Sequence, residues 1–264
     1  MAGTSGKAHS PVRPVFASHL WHGSGTIASM VPPLHRYKAL LFDMNETFMF
    51  GGDRLGPGED FDATYRAVGG AALSAEAVAH CVGAAVAGFL ADYTNPALVD
   101  DFPSLRETLA KHSIPSRHEA RLLELVIARH EVGVVPEWAA QVLLTLARSH
   151  RMGLVSNLWA PSHHWQPELR RSKVAPVLEC QVFSSDTRSI KPSPRLLLQA
   201  LGMLDLPPQD VLFVGDSLER DIAPAKALGM ATCWVTACGG GADVADFCIP
   251  SIAALTAVPT PARG

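Results

Sequence analysis

The sequence predicts an α/β protein, a doubly wound parallel sheet with an α-helical cap inserted after its first strand. Three observations lead there. Short apolar runs, among them Lys38–Phe42, Met152–Ser156 and Val211–Val214, have the length and continuity of strands buried on both faces. Segments of helical length with short connections lie between them, the alternation that produces parallel sheets. Between residues 51 and 135 the strand-like runs give way to helical periodicity. A chain of 264 residues accommodates a core plus an insertion, and 48% hydrophobic residues suffice for a buried interior.

Residues 1–35 contain no acidic residue and mix Gly, Ser and Pro with scattered basic residues and histidines. They read as a disordered extension, or as sequence upstream of a start at Met30. An acid-poor leader can also be an organellar transit peptide, but the arginines are few and no amphipathic helix is evident. No apolar stretch there has the length of a signal peptide or a membrane span. The core is assigned to residues 36–50 and 136–264, the cap to 51–135. Lys38–Phe42 is the first strand. Gly51–Gly58, with four glycines, reads as the hinge between core and cap. Arg54 within it either holds a substrate anion or is an ordinary solvated loop arginine.

Ser74–Leu90 is rich in Ala and Val without strand alternation and reads as a helix. Ser104–Glu107 and Ser116–Glu119 are capping-box sequences, each opening a further helix. Leu122, Leu123, Val126 and Ile127 follow at helical spacing, as bundle core rather than a cofactor site. Pro136 opens a helix to about His150, and Met152–Ser156 is the next strand. Cys180–Phe183, Val211–Val214 and Ala231–Val235 are strands, separated by helices at Pro194–Leu201 and Ile222–Leu228.

The chemistry gathers at strand ends. Val211–Val214 is broken by Gly215 and delivers Asp216 to the carboxyl end of its strand, where open α/β sheets place ligands. Asp221 follows about one helical turn later and can face the same point. Two carboxylates converging there are costly unless a hard cation sits between them, and Mg²⁺ is the usual one. Capping of the following helix is the plainer role for both. The first strand also ends in an aspartate, Asp43, followed by Met44-Asn45-Glu46-Thr47, which points to one shared site.

Four motifs then stand in order: Asp43-Met44-Asn45-Glu46-Thr47, Leu154-Val155-Ser156-Asn157, Lys191 in Ile190-Lys191-Pro192-Ser193-Pro194, and Gly215-Asp216 with Asp221. Over residues 38–255 the chain resembles the haloacid dehalogenase (HAD) superfamily of phosphatases and related hydrolases. The resemblance implies a Rossmann-like core, a cap that closes over the site and selects the substrate, and a last strand and helix at Phe247–Ile249 and Ile252–Leu255. It implies Asp43 as nucleophile, splitting one hard displacement into two through an aspartyl-phosphate. It implies Mg²⁺ as cofactor, held by Asp43, Asp216, Asp221 and the backbone carbonyl of Asn45. Ser156 and Lys191 would match the charge on the phosphoryl oxygens, with Thr47 and Asn157 as substrate-binding neighbours. The plainer roles are a surface lysine before a Pro-rich helix start for Lys191 and a helix cap for Ser156.

One position departs from the phosphatase pattern. Phosphatases of the family carry Asp two residues after the nucleophile, as acid for the leaving alcohol and base for the attacking water. Asn45 can do neither, and general acid–base catalysis is typically worth about 10² to 10⁴ in rate. A good leaving group, another proton-transfer group or slow turnover would accommodate the change. Halide leaves without protonation, so a metal-independent 2-haloacid dehalogenase, attacking carbon, does without the acid. Those enzymes replace the fourth motif by small polar residues, whereas Gly215-Asp216 and Asp221 keep the metal-binding form. The sequence therefore favours a Mg²⁺-dependent hydrolase of a small phosphorylated metabolite. A dehalogenase-type hydrolase and a catalytically weak phosphate-binding relative are the alternatives.

The net charge of −3 and the lack of any Lys/Arg run argue against a nucleic-acid surface. Five cysteines in no ligand pattern read as thiols of a reducing cytoplasm, and Cys233 and Cys238 suggest no zinc site. His163 and His164 read as surface or cap-facing residues, and Gly239–Gly241 as a connector. The expected partner is a small molecule, with neither nucleic acid nor membrane.

Overall fold

The structure, a computed structural model, describes residues 31–111, residue 114, and residues 116–236 and 244–256. The first thirty residues, Cys238 and Gly239–Gly241 lie outside the described residues. Description begins at Val31, and Leu34–Arg36 already form a 3-10 turn whose Leu34 carbonyl meets the His150 ring at 3.1 Å.

Six parallel strands form one sheet: β1 (Ala39–Phe42), β2 (Arg151–Ser156), β3 (Cys180–Phe183), β4 (Val211–Gly215), β5 (Ala231–Val235) and β6 (Phe247–Ile249). Their order is β3-β2-β1-β4-β5-β6, so the winding reverses at β1, where such sheets open a crevice for ligands. β1 shows why the apolar runs carry no alternation. Leu40 and Phe42 join one buried cluster, Ala39 and Leu41 another, and all four are fully buried. Burying such a leucine or phenylalanine contributes roughly 1.5–3 kcal/mol, which commits the strand to the centre of the sheet. Gly153 in β2 is required by closeness, because a Cβ there would meet the Cys180 Sγ and Leu41 Cδ2 at 2.4 Å.

The helices are α1 (Phe61–Ala67), α2 (Ala75–Tyr93), α3 (Leu105–Ala110), α4 (Arg117–Glu131), α5 (Glu137–Leu146), α6 (Gln166–Arg171), α7 (Ser184–Thr187), α8 (Arg195–Leu204) and α9 (Ala223–Ala227). Pro136 opens α5 as expected, but the helix ends at Leu146 rather than near His150. There the chain tightens, with Arg148 and Ser149 donating three residues back. α8 lays Leu196, Leu197, Ala200, Leu201 and Leu204 against one face of the sheet.

Helices α1–α4 form an insertion between β1 and α5. Ser104 and Glu107 make a complete capping box on α3. At α4 the Ser116 hydroxyl caps the Glu119 amide, but the Glu119 carboxylate accepts from the Tyr65 hydroxyl instead of closing the box. α2 is long and apolar enough to span a membrane, yet it packs as a bundle helix with Val78, Cys81, Val82, Ala85 and Phe89 buried. The two chain crossings into the insertion are zipped together: Phe50 and Val134 exchange backbone bonds of 2.9 and 2.8 Å, and the Asp53 amide donates to the Glu131 carbonyl at 3.1 Å. This explains Gly52 of the expected hinge and Gly133 in the segment opposite it. A Cβ on Gly52 would lie 2.3 Å from the Glu131 carbonyl oxygen, and one on Gly133 2.7 Å from that of Phe50. Close approach, rather than freedom, sets the residue type there.

Candidate active site

The parallel register places the motif residues side by side. Phe42 pairs with Val214, so Asp43 stands level with Gly215 and Asp216 follows one residue further along the adjacent chain, and the Asp43 amide bonds the Val214 carbonyl at 2.9 Å. Asp221 arrives from a π-turn at Leu218–Ile222, wider than the ordinary helical turn expected, in which the Asp221 and Ile222 amides share the Ser217 carbonyl. Such turns are frequent at functional sites. They account for Gly215, because a Cβ there would meet the Asp221 carboxyl carbon at 2.6 Å. The Asp216 carbonyl is fixed by the Trp234 indole at 2.8 Å.

Asp43, Asp216 and Asp221 each offer an oxygen within 4.8 Å of the others. Lys191, only 2% exposed, reaches into this group: its ammonium donates to Asp43 Oδ1 and Asp221 Oδ1, both at 2.6 Å, and to the Val155 carbonyl at 3.0 Å. Three acceptors satisfy its three protons. Burial works against its charge, but Asp221 and Asp43 outweigh burial and hold the ammonium above the ordinary lysine range. One lysine does not balance three carboxylates. Burial raises Asp43 to about 6, with Asp221 adding repulsion that Lys191 offsets. Burial and the charges of Asp43 and Asp221 raise Asp216 to about 8. An all-oxygen donor set with excess negative charge suits a hard divalent cation.

Ser156 is buried at the end of β2, and its Oγ has no hydrogen-bond partner, an orphaned group facing the cavity beside the carboxylates. Asn45 lines the same cavity. Two expected substrate-binding residues have other jobs. Thr47 is fully buried behind Asp43, 3.5 Å from its Oδ2, and is absent from the cavity wall. The Asn157 amide borders the cavity, but it is spent on the lysine segment: it accepts from the Lys191 amide at 2.8 Å and donates to the Lys191 carbonyl at 3.1 Å and the Tyr93 hydroxyl at 3.0 Å. Thr47 touches Asp43, and Asn157 holds the Lys191 backbone. Arg54 takes its plainer role, donating to the Arg129 carbonyl at 3.0 Å away from the cavity wall. His163 is exposed, its ring 4.0 Å from that of His164, and neither borders this cavity.

The cavity measures about 340 Å³, and its outer half comes from residues that sequence reasoning missed. Val86, Leu90 and Tyr93 of α2 face Trp159, which follows β2. The Trp159 ring stacks on Phe89 at 5.1 Å. Glu131, at the end of α4 and 2% exposed, accepts the Trp159 and Ala160 amides at 2.7 and 2.9 Å; burial, then Asp53, raises its pKa to about 8. Arg220, inside the fourth motif, bonds the Lys191 and Tyr93 carbonyls at 2.9 and 3.1 Å and lies 3.5 Å over the Tyr93 ring. Arg220 had a positional signal, lying between Asp216 and Asp221; the α2 residues and Glu131 had none.

Fold and site together define a doubly wound α/β protein with a helical insertion and an aspartate at the end of its first strand. A HAD-hydrolase-like family model matches residues 190–246. Phosphoglycolate phosphatases of Salmonella typhimurium and Escherichia coli O157:H7 are 31% identical over 137 residues, 48% of this chain and 53% of theirs. The chain thus spans about half the length of the curated relatives it matches. Among solved structures, a HAD phosphatase from Thermococcus onnurineus superposes with a TM-score of 0.56 at 22% identity, covering 81% of this chain and 94% of that one. A 2-haloacid dehalogenase from Pseudomonas syringae pv. Tomato gives 0.56 at 21%, covering 83% and 96%. The chain thus shares the fold of these HAD proteins and, over residues 190–246, the sequence pattern of the HAD-hydrolase-like family.

Proposed function

We propose that the protein is a Mg²⁺-dependent phosphohydrolase of a small phosphorylated metabolite, acting through an aspartyl-phosphate on Asp43, with helices α1–α4 as its cap. The observation that carries this reading is the convergence of Asp43, Asp216 and Asp221 within 4.8 Å around a single, fully committed lysine. The donor set fits Mg²⁺, and the Asn45 carbonyl is a further candidate ligand. A bound Mg²⁺ supplies neutralisation of charge on the phosphoryl group.

Lys191 holds Asp43 Oδ1, whereas Oδ2 makes only the long contact with Thr47, so Oδ2 is the freer oxygen to attack phosphorus. The bond from phosphorus to the leaving oxygen breaks as the bond to Oδ2 forms. The departing oxygen takes its proton from solvent, since Asn45 has none to give. Water then attacks phosphorus and gives up a proton to solvent as the bond between phosphorus and Asp43 Oδ2 breaks, releasing phosphate and regenerating the carboxylate. The orphaned Ser156 hydroxyl donates to a phosphoryl oxygen. Four described cysteines are free and buried, which supports a reducing, cytoplasmic setting.

The test is phosphate release from phosphate monoesters and acyl phosphates, phosphoglycolate included, with and without Mg²⁺. Release should require Mg²⁺ and fall by about 10⁴ or more in Asp43→Asn, the loss expected on removing a nucleophile. Release unaffected by that substitution would end the proposal. Asn45 favours a second reading, attack of Asp43 on a carbon bearing halide, which needs no acid. Chelator-insensitive halide release from 2-haloacids would establish it.

A further inference from the structure

Resting on the phosphoryl reading above, we infer that the substrate's leaving group is small, apolar and free of negative charge. The cavity is divided. Its inner end holds the carboxylates, Lys191 and the Ser156 hydroxyl, which account for a phosphoryl group and its cation. The remaining wall, where the leaving group must lie, is built by Leu55, Val86, Leu90, Tyr93 and Trp159. Leu90 is 37% exposed, one of few large apolar side chains left open on the described surface, and it opens into this cavity. At about 340 Å³ the space sits near the small end of ligand pockets, which are mostly apolar with a few polar groups for orientation.

A second anion finds there only cations already engaged by the protein. Lys191 and Arg220 are the only cationic residues among the described lining. Lys191 has all three protons donated, and both terminal nitrogens of Arg220 already bond backbone carbonyls. The other charged groups on that side are acidic. Glu131 is consumed by two backbone amides and Glu46 is exposed, where water screens its attraction for a cation; the Asp53 residue is exposed as a whole, but desolvation of its carboxyl, with Glu46 and Asp43 beside it, raises its pKa to about 6 and weakens its charge. A carboxylate placed against the apolar wall would be desolvated, poorly paired and repelled. An uncharged hydrocarbon group gains from the same wall.

The test uses non-hydrolysable probes, so that it does not depend on turnover. Isothermal titration of the full chain with Mg²⁺ compares 3-methylbutylphosphonate, its near-isosteric carboxylate 3-phosphonopropionate, and 3-aminopropylphosphonate. The methylbutyl compound should bind at least about tenfold more tightly than either charged probe, and Leu90→Arg should bring the carboxylate to parity or better. Equal binding of all three, or preference for either charged probe by the unaltered protein, overturns the inference. Phosphate release from phenyl phosphate is measured on the same preparations. Release alongside indifferent phosphonate binding fails this inference alone. Absence of release with no phosphonate bound fails the phosphoryl reading and this inference with it.

Discussion

The polar floor of the cavity and its apolar roof come from different parts of the chain and are fixed in different ways. The floor hangs from the ends of β1, β2 and β4, whose register is set by residues buried on both faces of the sheet. Its carboxylates stand where the strands stop, and a buried lysine holds two of them. The roof is carried by α2 and by Trp159, tied down through stacking on Phe89 and through Glu131. The floor is an electrostatic arrangement with charge left unbalanced, and the roof a packing arrangement built on apolar and aromatic side chains. Under the proposed function, the floor would carry the chemistry and the roof the selection.

The largest expected effect sharpens the floor. Asn45→Asp supplies the proton-transfer group that the cavity lacks beside Asp43, and should raise hydrolysis of an alkyl phosphate by up to about 10² to 10⁴. Aryl and acyl phosphates, whose leaving groups need little protonation, should gain much less. A steady-state comparison of the two ester classes reads this directly. An unchanged or lower rate on the alkyl ester would remove proton transfer from that position.

Breaking each half in turn should separate the two kinds of stability. Lys191→Met leaves buried carboxylates without their cation and should cost about 3–5 kcal/mol, the usual penalty for removing one partner of a buried ion pair. Phe89→Ala removes the ring under Trp159, which is 1% exposed, and should cost about 3–5 kcal/mol by cavity formation. Urea unfolding with added Mg²⁺ distinguishes them. Mg²⁺ should recover part of the loss in Lys191→Met and no more than its ordinary increment in Phe89→Ala. Equal recovery would erase the distinction between floor and roof.

The unbalanced charge also predicts how metal-free protein responds to pH. Folding raises Asp43 to about 6 and Asp216 to about 8, above the unfolded carboxylate value of about 3.9. The folded state therefore keeps protons that the unfolded chain gives up, so stability is greatest near pH 4, falls through pH 8 and levels off beyond. Glu131, raised to about 8, adds to the same slope. Mg²⁺ takes the place of protons at Asp43 and Asp216 but not at Glu131, so it should stabilise most at pH 8 and least at pH 5. Unfolding midpoints at both pH values check this, and a metal-free protein that gains stability between them would contradict it.

How much was legible follows the same division. The ends of β1 and β4 could be read because a continuous apolar run followed by Asp has one physical reading in a buried parallel sheet, and Asp43, Asp216, Asp221 and Lys191 do converge. Thr47 and Asn157 could be placed near the site but not assigned, because a hydroxyl or amide reveals its partner only in three dimensions. Thr47 backs Asp43, and Asn157 clamps Lys191. The roof left no local pattern. Val86, Leu90 and Tyr93 look like any apolar face of an Ala-rich helix, and Glu131 looks like the solvated end of another. Their roles arise from contacts across more than twenty residues of chain, as where Glu131 meets Trp159.

The smallest effect concerns Ser156, where floor and ligand meet. A buried hydroxyl without a partner costs the folded state about 1–3 kcal/mol in lost solvation, and the Ser156 Oγ is such a group. Ser156→Ala removes the penalty along with the hydroxyl, so stability should stay level or rise slightly. The same change withdraws a donor from the phosphoryl oxygens, and a hydrogen bond to a charged group is worth about 1.5–3 kcal/mol. Affinity for a phosphonate in the presence of Mg²⁺ should therefore fall by about ten- to a hundredfold while the unfolding midpoint hardly moves. A helix-capping serine would give the reverse, lost stability with affinity intact. The pair of measurements thus decides whether β2 ends in a structural hydroxyl or in one held ready for a ligand.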